Sequence, residues 1–148
     1  MYVLQGNYFK AIDDIDSAYN AYFQAVTLKP DFTLPLIELY QIASQGPQKA
    51  TFKEYLSSHL SKNKDAHFQR HLLADLLYIE GNKPAAEVQY LKLISINGLP
   101  NKDRIFNNLA LIKAESEPKQ GLEYAEIAVQ LTPDSAAILD TNGWLLVK

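Results

Sequence analysis

The sequence predicts an all-α chain, a right-handed α-α superhelix of about four antiparallel helix pairs followed by a final unpaired helix. Three observations predict it. Small residues and prolines recur at a fixed step, apolar residues keep a helical spacing with no useful run of period-two alternation, and a capping residue stands at nearly every expected helix start.

Gly6, Ala18 and Pro30 lie twelve residues apart, as do Ala74, Ala86 and Gly98, and Gly121 and Pro133 repeat the step. Tyr40 follows Pro30 by ten residues, and Gly143 follows Pro133 by ten. This is the rhythm of a unit of about 34 residues built as helix, turn, helix. Its physical reason is close approach. Where paired helices cross, only Gly or Ala fits between the backbones, bulky aromatics fill the space beside the crossing, and a proline after the second helix stops it.

Taken in order, helix 1–11 carries Gly6, and helix 14–29 follows behind Asp14 with Ala18, Tyr22 and Ala25 before Pro30. Helix 32–45 starts after Asp31, tolerates Pro35 in its first turn and shows Leu34, Ile37, Leu39 and Ile42 at helical spacing. Helix 47–61 follows the Gly46-Pro47 turn with Phe52, Tyr55, Leu56 and Leu60. This second pair rests on apolar spacing alone, because Tyr40 stands where a small residue is expected and Ala50 is out of phase. Helix 64–80, behind Asn63, carries Ala74 and ends at Gly81; helix 83–96, behind Asn82, carries Ala86 and Tyr90. Helix 102–115 starts after Asn101 and holds Ala110. Helix 117–131, behind Ser116, carries Gly121, Tyr124 and Ala128 and stops before Pro133. Helix 135–148, behind Asp134, carries Ile138, Gly143 and Trp144 and has no second helix. Each cap is worth about 1 kcal/mol. The units are expected at about 1–30, 31–63, 64–100, 101–133 and a partial 134–148, all in one solenoid domain.

Composition narrows function. The 148 residues are 47% hydrophobic, enough for a continuous core, and carry a net charge of −3 from 14 basic and 17 acidic side chains. No basic stripe neutralises phosphates, so nucleic acid is not an expected partner. The absence of cysteine removes disulfides and thiolate chemistry. No apolar run reaches the roughly 18 residues of a membrane span, and Asp75 interrupts the richest one, so membrane insertion of this segment is not expected. Met1 to Gly6 does not read as a signal peptide, which leaves a cytoplasmic protein, or a periplasmic or envelope-associated one behind a removed leader.

Gly6-Asn7-Tyr8-Phe9-Lys10 followed by Ala18, Tyr22, Ala25 and Pro30 resembles the tetratricopeptide repeat (TPR), and the expected fold is a TPR-like solenoid. The resemblance implies that the first helix of each pair, the A helix, lines a concave groove. It places there Val3, Asn7 and Lys10; Leu34, Ile37, Gln41 and Ser44; Phe68, His71, Asp75 and Tyr78; Arg104, Asn107 and Leu111; and Asp140 and Trp144. The ligand-binding set it implies is Asn7, Gln41, His71, Asp75, Tyr78, Arg104, Asn107, Asp140 and Trp144, which would hold an extended peptide by amide hydrogen bonds and stacking. Val3 and Glu38 stand where the family's carboxylate clamp needs a cation and an amide, so that clamp is not expected. Asn107-Asn108-Leu109-Ala110, Leu122-Glu123-Tyr124-Ala125-Glu126, Leu131-Thr132-Pro133-Asp134 and Ile138 through Leu146 are similar to TPR proteins of bacterial PEP-CTERM/exosortase exopolysaccharide systems. That similarity, over the last third, implies an envelope-linked scaffold.

Other constellations read as structure. His67, His71 and Asp75 share a helix face, but the outer two lie about 12 Å apart along the axis, too far for one metal. Asp13, Asp14 and Asp16 lack the glycine and distal glutamate of a calcium loop and suit a helix start instead. No phosphate loop, nucleophile elbow or Ser-His-Asp arrangement is present, and Glu115 with Glu117 lies at a turn. The chain is expected to be a protein-interaction scaffold, not an enzyme, with no cofactor or metal and with a protein or peptide as partner. The alternative is a non-binding spacer or oligomerisation segment. Leu145, Leu146 and Val147 leave an apolar face on the last helix, so the chain is expected to be a fragment or to form a homo-oligomer through that helix.

Overall fold

The computed structural model describes residues 1–147; the expected end of the last helix at Lys148 lies outside the described residues. Among the described residues there are nine helices and no strand. They are α1 (Tyr2–Ala11), α2 (Ile15–Leu28), α3 (Thr33–Gln45), α4 (Lys49–Lys62), α5 (His67–Ile79), α6 (Lys83–Ile94), α7 (Lys102–Lys113), α8 (Pro118–Leu131) and α9 (Ala136–Leu146). They group into two compact units, Met1–Glu80 and Gly81–Lys148.

In the first unit the small-residue logic holds at the level of atoms. Gly6 is buried, and a methyl group placed on it would meet the Tyr22 ring at 2.5 Å. Ala18 and Ala74 are fully buried. Tyr22, Val26, Leu36, Leu39, Phe52, Leu56 and Leu76 are equally inaccessible and form the centre of the core. The second pair solves its packing differently from the others: Tyr40 lies half-buried against this core, and Ala43, nearly one turn on, is the small residue that is fully enclosed.

The second unit buries Ala86, Tyr90, Leu93, Ile105, Leu109 and Ala110, and Ala110, Ala114, Ala125 and Leu145 cluster together. Gly121 sits in a tight contact, since a methyl group there would lie 3.1 Å from the Ala110 carbonyl oxygen. Gly143 departs from expectation. It is exposed, and a methyl group added to it would meet nothing within 4 Å. Its repeat-equivalent, Gly6, is closed over by the ring of the following helix, and among the described residues no helix follows α9 to do the same.

Of the expected caps, two act through side chains. Asp14 accepts the Ser17 N–H at 3.1 Å and Asn82 accepts the Ala85 N–H at 3.3 Å. Asn101 holds the cap position of α7 in a left-handed conformation with no side-chain bond. The others are displaced by one to three residues: Phe32 precedes α3, Ala66 precedes α5, Glu117 precedes α8 and Ser135 precedes α9. Asn63 ends α4 instead of starting α5, its side-chain amide donating to the His59 carbonyl at 3.0 Å. The later start of α5 has a visible cause. The Arg70 guanidinium donates to the Lys64 carbonyl at 2.7 Å, and the Ala66 N–H bonds to Asn63, so residues 63–66 close as a turn.

Candidate functional site

In the first unit the A helices α1, α3 and α5 carry the candidate residues. On α1, Asn7 is exposed, and its side-chain carbonyl accepts the Tyr22 hydroxyl at 2.8 Å, a bond that orients the amide while anchoring the buried ring. Lys10 reaches Glu38 of α3 at 2.5 Å, so the one lysine of that face is neutralised within the fold. Gln41 is exposed on α3 and lines a cleft of about 710 Å³ with Lys10, Asp13, Asp14, Asp16 and Gln48. Asp16 in that cleft accepts the Gln48 side-chain amide at 2.7 Å.

Leu34 and Ile37 also stand out on α3, 45% and 39% exposed. With Gln41 they fall at i, i+3 and i+7, so the three share one face of the helix. On α5 the picture changes. His71 and Asp75 pair one turn apart at 3.6 Å with side chains only 14% and 17% accessible, and Tyr78 is half-buried, which pushes its phenol up from the usual tyrosine range. Asn7, Gln41 and the apolar pair on α3 are therefore displayed, whereas His71, Asp75 and Tyr78 are partly covered.

In the second unit, Arg104 is exposed on α7 and Asp140 and Trp144 are exposed on α9. The adjacent asparagines of α7 divide their roles. Asn108 donates to the Tyr90 hydroxyl at 2.9 Å and so ties α7 to α6. Asn107 is half-buried with a carbonyl oxygen that has no hydrogen-bond partner. Lys113, nearby on α7, binds Glu87 at 2.6 Å and Glu117 at 2.7 Å; its hydrogen bonds to Glu117 and Glu87 hold its ammonium above the usual lysine range.

Sequence reasoning missed a second concavity of the first unit. A cleft of about 420 Å³ opens between α2 and α4, with Phe23, Val26, Tyr55 and His59 among its walls. The rings form a run, Tyr19 on Phe23 at 5.8 Å, Phe23 on Tyr55 at 5.2 Å and Tyr55 on His59 at 6.3 Å. The i, i+4 aromatic pairs Tyr19/Phe23 and Tyr55/His59 were the available signal. Among the described residues no group of three or more His, Cys, Asp or Glu side chains could hold a metal ion, and no helix is long and apolar enough to cross a membrane.

Antiparallel helix pairs with Gly or Ala at their crossings define a TPR-like helical solenoid. The solved structure of MamA protein, itself a TPR-like solenoid, has the same fold: the TM-score is 0.74 at 18% sequence identity, covering 97% of this chain and 78% of that one. No protein-family model matches the sequence, and no curated protein matches it.

Proposed function

We propose that the chain is a protein-interaction scaffold that binds an extended peptide or protein segment on its A helices, in the concave groove that the TPR resemblance assigns to them. The observation that carries this reading is the stripe on α3. Leu34 and Ile37 stay exposed beside the exposed amide of Gln41, a pattern that serves apolar side chains and backbone amides of a ligand together. The similarity of the last third to PEP-CTERM/exosortase TPR proteins supports a place in bacterial envelope or exopolysaccharide assembly. The ligand-contacting set on this reading, within the first unit, is centred on Asn7, Leu34, Ile37 and Gln41.

A random peptide display library panned against the chain, with an Ile37→Glu, Gln41→Ala variant as counter-selection, tests it. Peptides enriched on the wild type and lost on the variant support the groove. Selected peptides that bind both proteins equally contradict it. One observation favours the spacer alternative: Lys10 is engaged by Glu38 and His71 by Asp75, so much of the groove's charge is spent within the fold. On that alternative no peptide is enriched at all.

A further inference from the structure

The sequence holds two Asn-Gly steps, Asn97-Gly98 and Asn142-Gly143, and the fold of the second unit treats them in opposite ways. The dipeptide is chemically special because glycine, with no side chain, leaves its backbone nitrogen open to the asparagine before it. Both glycines are open in this sense: a methyl group added to Gly98 or to Gly143 would meet nothing within 4 Å. Crowding therefore does not separate the two steps, and the backbone does. Asn97 and Gly98 are exposed in the turn between α6 and α7, with Gly98 left-handed at a φ of 70°. The Ile96 N–H bonds to the Leu93 carbonyl at 3.0 Å just before them, but among the described residues the Gly98 N–H has no backbone partner. Gly143 lies inside α9, whose i to i−4 ladder directs its N–H to the Leu139 carbonyl. The helix also fixes the backbone of Asn142, whose half-buried side chain has its amide oxygen enclosed.

We infer that Asn97 is a site of spontaneous covalent modification, converting through a cyclic imide to aspartate and isoaspartate, and that α9 protects Asn142 from the same reaction. The Gly98 nitrogen attacks Cγ of the Asn97 side chain. The N–Cγ bond forms, the Cγ–Nδ2 bond breaks, and ammonia leaves with the proton that the Gly98 amide gives up. Water then opens the five-membered ring at either carbonyl. Opening at Cγ leaves aspartate, and opening at the backbone carbonyl leaves isoaspartate, with the chain running on through the side chain. The balance is side-chain amide plus water to carboxylic acid plus ammonia, and solvent supplies the water. At Asn142 the ring cannot close until α9 opens, because its attacking nitrogen is held in the helical ladder. Modification at Asn97 adds a negative charge to a chain of net charge −3. The isoaspartate form also lengthens by one methylene a connection that enters α7 through two left-handed residues, Gly98 and Asn101.

The two steps serve as each other's control, because trypsin releases them in separate peptides, 93–102 and 120–148. The full chain is incubated folded at mildly alkaline pH, sampled over days, digested briefly and read by fragmentation mass spectrometry. The expected result is a gain of one mass unit at Asn97 at least ten-fold faster than at Asn142, with isoaspartate at position 97 detected by its enzymatic methylation. In urea strong enough to unfold the chain, the two rates should come within a few-fold of each other, since the helix no longer protects Asn142. Asn97→Ser, an exposed substitution, should keep the circular dichroism and lose the early acidic form that anion exchange resolves from the wild type. Equal rates at the two asparagines in the folded chain overturn the inference, as does an Asn97 that stays intact. A product at Asn97 without isoaspartate rules out the cyclic imide, and a rate ratio that urea leaves unchanged rules out protection by α9.

Discussion

Two glycines at equivalent repeat positions have opposite surroundings, and substitution by alanine separates them. At Gly6 the added methyl meets a fully buried Tyr22 ring whose hydroxyl is anchored on Asn7, so the ring cannot swing away without breaking that bond. Gly6→Ala is expected to destabilise by about 1–3 kcal/mol through overpacking. At Gly143 the methyl meets nothing, and Gly143→Ala is expected to stabilise by about 0.5–1 kcal/mol through helix propensity alone. Denaturant midpoints of the two variants check both signs. Tyrosines give a second contrast. The Tyr19 hydroxyl is buried with no hydrogen-bond partner, whereas that of Tyr22 donates to Asn7. Tyr22→Phe should cost about 1 kcal/mol, and Tyr19→Phe should be neutral or slightly stabilising, since it removes an unpaired polar atom and keeps the ring. Burial pushes the Tyr19 phenol up to about 12. The folded state then holds the proton more tightly than the unfolded chain, so stability is intact below about pH 10 and falls as pH rises toward about 12. In Tyr19→Phe that alkaline decline should be shallower, which unfolding curves taken across the range will show.

Among the helices, α6 and α7 are joined by a bond whose removal has a predictable size. Asn108→Ala takes the donor from the Tyr90 hydroxyl and should cost about 1 kcal/mol, whereas Asn107→Ala, whose carbonyl has no partner, should stay within about 0.5 kcal/mol. Thermal unfolding of the two variants tells the neighbours apart. The order and number of helices were legible because Gly, Ala and Pro repeat on a fixed step in most of the pairs, and apolar residues at helical spacing mark the second pair where that step fails. Helix ends were less so. Arg70, bonded to the Lys64 carbonyl, turns residues 63–66 into a closed loop, and Asn63 serves the end of α4; neither follows from local propensity. Burial on α5 was also out of reach. The His71 to Asp75 spacing is visible in the chain, but the neighbours that cover both side chains come from elsewhere in the fold. The Lys10–Glu38 pair joins residues 28 apart, a separation that repeat phasing does not specify. Gly143 follows the repeat in sequence but not in burial, because among the described residues no side chain or backbone closes over it.

At the scale of the molecule, the TPR-like fold leaves the A helices with two tasks. Their inner positions bury Gly6, Ala74 and Ala110, with Gly6 against the Tyr22 ring, and their outer positions display Asn7, Leu34, Ile37 and Gln41. On the proposed reading, a surface that is apolar and amide-rich suits an extended peptide. The most direct measurement is a map of backbone amide NMR shifts on the full chain as a display-selected peptide is added. The scaffold account predicts that shifts concentrate on α1 and α3 around Asn7, Leu34, Ile37 and Gln41. Shifts centred instead on the aromatic cleft between α2 and α4, or spread without focus, would contradict it.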